Sequence, residues 1–325
     1  MLMTRSSFSF IGATFYVSLT AASAALAQDY PIKPVRIIQG AAAGGSLDST
    51  ARIFAQRLSQ QLGQPFVVES RPGASGTIAN DRVAKSPPDG YTLLVMAATG
   101  SIQSALRTDL PYDLERDLAP ISPLSVTPLV LVAHPSVPAR SLKELVELAR
   151  RLPDKLNYGS SGVGSTSHFA GEALNYLAKV KFVHIPYKGG SESVLAAASG
   201  IVDVSLPGIT PVPGLVTAGK IRAIAVTTID RSPLLPSVPT FHESGYPDYD
   251  FSSWAGLLAP IATPKRIIDR LNSLVASIGS DNELKELFKK QGLSARASTT
   301  AEYAEFIRRE IALNRKLANV AGIKL

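Results

Sequence analysis

Short apolar runs alternate with amphipathic stretches along most of this chain, and that alternation narrows the available folds more than any other feature. Val35–Gln39 reads as a buried strand, followed by a glycine-rich turn and a helix with Leu47, Ala51, Phe54, Leu58 and Leu62 on one face. Residues 66–68 and 92–96 read as further strands, with 78–85 helical between them. Ser141-Leu142-Lys143-Glu144 is a capping box that opens a helix with Leu142, Leu145, Ala149 and Leu152 inward. Strands at 156–159, 182–186, 202–206 and 221–227 then alternate with helices from about 166 and over 193–198. This pattern predicts an α/β class, with mostly parallel sheets covered by helices. A length of 325 residues suits one large or two medium domains.

The carboxyl-terminal part departs from the alternation. Thr263-Pro264 reads as an N-cap with proline at the first helical position, opening a helix with Ile267, Leu271, Leu274 and Ile278 inward. Helices follow over 283–291 and Thr300–Ala321, the last opened by Thr299 and Glu302. Three consecutive helices after the last strand are expected to pack back on the first sheet. Two apolar stretches, 128–133 and 254–259, bracket the middle block and are expected to cross between two lobes. Lobe 1 would then comprise 28–127 plus 255–325, and lobe 2 residues 128–254. A cleft between two such lobes is a preferred place for a small molecule.

The amino terminus predicts export. Arg5 precedes an uncharged run over 6–28 that ends near Ala25-Leu26-Ala27, the layout of a secretory signal peptide over 1–27. A membrane anchor is the competing reading. Ser9, Gly12, Thr14, Ser18, Thr20 and Ser23 interrupt the run, and no basic stop follows it. A soluble, periplasmic mature protein is expected. The absence of cysteine excludes disulfides, zinc–thiolate and iron–sulfur sites, and a cysteine nucleophile. The net charge is +7, from 33 Lys and Arg over 26 Asp and Glu. The basic pairs Arg150/Arg151, Lys179/Lys181, Lys289/Lys290 and Arg308/Arg309 are scattered among acids, with no basic stripe bearing aromatics, so nucleic acid is not an expected partner.

Three strand-to-helix turns are rich in glycine and hydroxyls: Ala43-Gly44-Gly45-Ser46, Ser160 to Thr166, and Lys188-Gly189-Gly190-Ser191. At such turns the first helical N–H groups are unpaired and carry the positive end of the helix dipole, so they suit carboxylate, phosphate or sulfate. Any α/β protein needs tight turns here; three of them, spread over both lobes, favour an anion cleft. Asp48 either complements a helix dipole or orients the loop and reads a donor on the ligand. There is no G-x-x-x-x-G-K-[ST], and Gly162-Val163-Gly164 lacks the rest of a dinucleotide fingerprint, so no cofactor is expected. No G-x-S-x-G elbow occurs, and the 4 histidines lack metal-ligand spacing. Ser165 and His168, with Asp203 as orienter, leave an exported serine hydrolase as the alternative.

Ordered motifs run through the mature chain: Gly44-Gly45-x-x-Asp48, Glu69-Ser70-Arg71-Pro72-Gly73-Ala74, Pro88-Asp89-Gly90-Tyr91-Thr92-Leu93, Leu156-Asn157-Tyr158-Gly159-Ser160-Ser161-Gly162, His184-Ile185-Pro186-Tyr187-Lys188-Gly189 and Gly256-Leu257-Leu258-Ala259-Pro260. In them the chain resembles the Bug family, the extracytoplasmic solute-binding proteins of tripartite tricarboxylate transporters. The resemblance implies a periplasmic binding protein of type II topology, two α/β lobes joined by crossing strands around a ligand cleft. It implies a receptor rather than an enzyme, a small di- or tricarboxylate ligand and membrane permease subunits as partners; the missing motifs predict neither cofactor nor metal. A monomer is expected, and a ligand-sensing role beside a membrane receptor is a further alternative. Carried over, the ligand positions are Ala43, Gly44, Gly45, Ser46 and Asp48, then Ser160, Gly164, Ser165, Thr166 and His168, with Tyr187, Lys188 and Gly189 as a further wall. The family commonly has Pro-Phe where Gly40-Ala41 stands, and an acid or amide where Pro207-Gly208 stands. These departures point to a plain, bulky or aromatic dicarboxylate over an amino acid.

Overall fold

The computed structural model describes residues 30–41, 44–247, 249 and 251–323; the leader expected at 1–27 lies outside them. From the amino end, β1 (Val35–Gln39) feeds α1 (Ser46–Leu62), β2 (Phe66–Ser70) feeds α2 (Thr77–Ala84), and β3 (Thr92–Ala97) feeds α3 (Thr99–Leu106). The single turn α4 (Leu114–Asp117) leads into a long strand, β4 (Leu118–Pro128). Next come β5 (Val130–Ala133), α5 (Leu142–Arg151), β6 (Asn157–Ser160), α6 (Thr166–Ala178), β7 (Val183–Pro186) and α7 (Gly190–Ala198). They are followed by β8 (Val204–Ser205), α8 (Val212–Thr217) and β9 (Arg222–Val226). The chain returns through β10 (Ser252–Pro260) and closes with α9 (Lys265–Ser280), α10 (Asn282–Lys290), β11 (Ser294–Ala295) and α11 (Thr300–Ala321).

The strands form a six-stranded sheet, β11-β4-β10-β3-β1-β2, and a five-stranded sheet, β7-β6-β8-β5-β9. β4 and β5 are almost one continuous strand, so chain direction carries over from one sheet to the other. β1 pairs in parallel with β2 and β3, and β10 runs antiparallel to both β3 and β4. The carboxyl ends of β1 to β4 therefore point the same way, toward the junction. Beyond it, β8 and β9 run antiparallel to β5, and β6 runs parallel to β7 and β8. Their carboxyl ends point back, so the two sets of strand ends face each other. Outside carboxyl strand ends is where open α/β sheets place ligands.

Apolar layers cover both faces of each sheet. Phe54 and Leu58 of α1, Leu271 and Val275 of α9 and Phe288 of α10 bury one face of the six-stranded sheet, with Phe54 and Phe288 edge-on at 6.2 Å. Trp254, Tyr303 and Ile307 cover the other. Each fully buried large apolar side chain contributes roughly 1.5–3 kcal/mol. The terminal helices do pack back on the first sheet, but β11 separates α10 from α11 and pairs with β4, so they are not three in a row. At α9 the cap is Pro264, with ψ 133, and the helix starts at Lys265, so Thr263 is one residue too early to cap it. Proline explains why β4 is hidden in the sequence: Pro120, Pro123 and Pro128 interrupt the alternation. They are tolerated because the β4–β10 register shifts between Ala255/Gly256 and Leu257/Leu258, and because β11 covers only two residues of the far edge.

Gly256 lies where β10 passes under Tyr303, and any side chain there would collide with the buried Tyr303 hydroxyl. Gly256→Ala is expected to destabilise the fold by about 1–3 kcal/mol through overpacking, read as a lower urea midpoint with unchanged m-value.

Candidate ligand cleft

Asp48 organises the turn after β1. It is 4% exposed, and its Oδ2 accepts from the Gly44 backbone N–H at 3.0 Å and from Arg52 Nε at 2.9 Å. Its Oδ1 accepts from Gln39 Nε2 at 3.3 Å and Ser70 Oγ at 3.4 Å, while Gln39 also donates to Ser70 Oγ at 2.7 Å. Burial raises the carboxyl pKa, but the bonds from Arg52, Gly44 and Ser70 outweigh it and hold it below the ordinary carboxylate range. The charge is thus spent inside the protein, and Asp48 fixes the loop. Gly44 adopts φ +84, a left-handed conformation that costs little only in glycine. Gly45 is the N-cap of α1 and supplies no side-chain bond, so the N–H groups of Ser46 and the first turn stay open to the cleft. Ala43 lies outside the described residues. At Gly40 the room left by the missing side chain is taken by the Gly76 backbone, 2.6 Å from where a Cβ would sit, so only Ala41 leaves a smaller wall there.

Across the junction, the Ser160-to-Thr166 turn rests on a stack of rings. His168 and His184 lie face to face at 3.9 Å and 15°, and Tyr158 stacks on the far side of His184 at 4.9 Å. Ser160 Oγ and His184 Nε2 are 2.6 Å apart, and the Gly164 N–H donates to His168 Nδ1 at 3.1 Å. Ser165 caps α6 by accepting from His168 N at 3.2 Å, and its hydroxyl donates to the Gly162 carbonyl at 2.7 Å. Ser161 and Ser167 hydroxyls pair at 2.9 Å. The wall at Tyr187 is directly attached: its N–H donates to the Ser160 carbonyl at 3.0 Å. Gly189, at the start of α7, gives no side-chain cap, whereas the Lys188 N–H is taken by Glu192 at 3.1 Å; the Lys188 side chain is exposed.

The two turns of the five-stranded sheet are therefore brought into contact, and the Gly44–Asp48 turn faces them from the other sheet. One bridge joins the halves: Ser49 Oγ donates to Gln291 Oε1 at 3.1 Å, and Thr210 Oγ1, just beyond β8, donates to the Gln291 carbonyl at 3.0 Å. The carboxyl end of β3 adds Ala98 and Thr99 to the same row, where α3 starts without a side-chain cap. Sequence reasoning missed this turn, along with the buttresses Gln39, Ser70 and His184. The run Ala97-Ala98-Thr99-Gly100 directly after a strand was the available signal for the turn; the buttresses are non-local and had none.

The hydrolase alternative lacks its geometry. His168 Nδ1 is engaged as an acceptor from Gly164, Ser165 meets only the backbone of His168, and Asp203 accepts from the Asn157 N–H at 2.7 Å, at the opposite end of β6. Among the described residues no group of three or more His, Asp or Glu could hold a metal ion, and no helix is long and apolar enough to cross a membrane.

A model of the tripartite tricarboxylate transporter family receptor matches residues 50–323, and the chain belongs to that family of solute-binding receptors. Among solved structures it is similar to the periplasmic binding protein BugD, at 31% identity and TM-score 0.81 over 91% of this chain and 99% of that one. It is also similar to the R. palustris protein Rpa4515 with adipate, at 33% identity and TM-score 0.84 over 91% and 99% of the two chains. MatC from Rhodopseudomonas palustris with bound malate matches at 30% identity and TM-score 0.79, over 89% and 99%. The fold is that of the periplasmic binding proteins.

Burial lowers the pKa of both stacked histidines to about 4, and for His184 the neighbouring His168 adds to the effect. The folded state thus binds fewer protons than the unfolded one between pH 6.5 and 4. The stability these rings contribute is complete above pH 6.5 and is lost as pH falls toward 4. A thermal melt series from pH 7 to pH 4 should show a falling midpoint, with a shallower slope in His184→Gln.

Proposed function

We propose that this protein captures a small dicarboxylate in the cleft between the two sheets and delivers it to the membrane subunits of a tripartite transporter. One observation carries the reading: helix starts without side-chain caps, at α1, α3 and α7, stand at strand carboxyl ends that face each other across the junction. Each offers unpaired N–H groups and a positive dipole end, and a hydrogen bond to a charged acceptor contributes about 1.5–3 kcal/mol. Two carboxylates, one toward each sheet, suit two facing sets of donors better than one carboxylate does. Malate and adipate, bound by the similar proteins, have that form.

In this reading the Ala43, Gly44, Gly45 and Ser46 turn holds one carboxylate through the open N–H groups at the start of α1, while Ser160, Gly164, Ser165 and Thr166 line the second position, beside the open donors at the start of α7. Asp48 and His168 position those turns, and Tyr187, Lys188 and Gly189 close a wall. The lobes are 28–127 with 255–325 and 128–254, and ligand bridging them shifts an open–closed equilibrium. Export to the periplasm through a leader at 1–27 belongs to the same proposal. Pro207-Gly208 supplies no acid to read an amine, which favours a plain dicarboxylate over an amino acid.

A thermal-shift and calorimetric screen of C4 to C8 dicarboxylates tests this. At about 100 times its dissociation constant a true ligand should add about 2.7 kcal/mol of stability. Tight aspartate binding with no response to any dicarboxylate would refute the ligand class. Gly45→Val should weaken binding at least tenfold by blocking backbone approach; unchanged affinity removes that turn from the site.

A further inference from the structure

A cavity of about 810 Å³ opens on the β11 and β9 side of the crossing strands, whereas the glycine turns lie on the β3 and β8 side. Among the candidate cleft residues Thr166 and Ala98 reach it. Both sheets wall it: α10, β11 and α11 on one side, the segment 228–233 after β9 on the other, and β4 and β10 at the base. Its volume falls within the range of small-molecule sites, roughly 300–1,000 Å³.

Aromatic rings lie along the base: Phe251 and Phe306 are half-buried over the buried Phe169, Trp254 and Tyr303, with Trp254 and Phe306 edge-on at 5.4 Å. Ile229 and Leu313 stand on the lining 57% and 46% exposed, apolar surface that an occupant would cover. Charge on the lining is unbalanced. Glu302 is occupied by the Thr299 N–H and hydroxyl at 2.9 and 2.8 Å, and Glu310 by Trp254 Nε1 at 3.2 Å. Arg231 pairs with Glu243 at 2.8 Å and Lys289 with Glu286 at 3.9 Å. The side chains of Lys285, Arg296 and Arg309 make no hydrogen bond or ion pair among the described residues, and the lining as a whole sets Arg231, Lys285, Lys289, Arg296 and Arg309 against the carboxylates of Asp230, Glu302 and Glu310.

We propose that this cavity is a second binding site, for an amphipathic monoanion such as a medium-chain or aryl carboxylate. The apolar body lies on Phe251, Phe306, Ile229 and Leu313, and the carboxylate meets the Arg296 and Arg309 guanidiniums, whose planar forks match it. A short dicarboxylate is less suited here, because it would leave the exposed Ile229 and Leu313 uncovered. The site touches the cleft assignment only at Thr166 and Ala98 and shares none of its glycines nor Asp48.

The chain has one tryptophan, and it lies in this base, 3% exposed. Titrating the full protein with decanoate and with 2-naphthoate, followed by Trp254 fluorescence and calorimetry, tests the site directly. Saturable binding of at least one probe is expected, about tenfold weaker in the Arg296→Gln/Arg309→Gln double variant and unchanged in Gly45→Val. Both arginines are exposed, so the double variant retains the fold and its dicarboxylate response. Absence of saturable binding overturns the proposal, as does wild-type affinity in the double variant. Loss of probe binding in Gly45→Val overturns it too, because the probe would then sit in the cleft.

Discussion

Everything in this molecule that resembles a binding site depends on how the chain passes between its two sheets. Thr227 is fully buried at that passage and ties three segments together. Its N–H donates to the Leu129 carbonyl at 3.1 Å, its hydroxyl accepts from the Leu129 N–H at 3.0 Å and donates to the Phe251 carbonyl, and its own carbonyl accepts from Phe251 N–H at 3.2 Å. Pro128 and Pro207 add bonds on the neighbouring segment, accepting from Ile209 N–H at 3.0 Å and Val130 N–H at 2.9 Å. An unpaired buried N–H costs about 1–3 kcal/mol, so the junction is held by the need to pair backbone groups as well as by packing. Because β4 runs into β5 without turning, strand polarity is transmitted across it, and facing carboxyl ends follow from topology alone.

In the proposed cleft, that polarity lets an anion be held with few cations. Helix starts at α1, α3 and α7 present backbone donors, and the charged groups nearby are already neutralised: Asp48 by Arg52 and the Gly44 N–H, the two histidines by burial. Neutral, close-packed imidazoles make a firm platform for the Ser160–Ser165 turn. A charged pair at 3.9 Å would repel itself. The surplus positive charge of the chain is placed elsewhere, on helix faces and around the cavity on the other side of the crossing strands.

Signals in the sequence are legible where the physics is local. Ser141 accepts from the Glu144 N–H at 3.2 Å, and Thr299 with Glu302 forms the full reciprocal box, because caps depend on residues three apart. The strands after which glycine turns open were legible for the same reason. β4 was not, since its prolines mimic a loop and its bulges are set by β10, more than a hundred residues away in sequence. α3 was hidden by its small polar start, Thr99-Gly100-Ser101, whose face is decided by α11 packing. His168 was legible as a residue beside the turn, but its stacking partner comes from β7. Nothing within one helical turn announces it.

The same long-range contacts limit how the sheets can move against each other. On one face Ile102 of α3, Phe169 of α6 and Ala318 of α11 form a cluster with Phe251 packed against it. On the opposite face Gly292, at φ +74, lets the turn after α10 press against the other sheet: a Cβ there would meet Ile209 Cγ2 at 2.5 Å and Leu234 Cδ1 at 2.7 Å. Gln291 beside it holds α1 through Ser49 and the segment after β8 through Thr210. Both contacts flank the crossing strands, so a relative motion that parts the strand ends must pivot through them. Displacements are then smallest at the junction and grow toward β2 and β7, the outer strands of the two sheets. The backbone donors of the proposed cleft lie between these extremes, so in that proposal a ligand touching both sheets gains leverage over the angle without straining the junction itself.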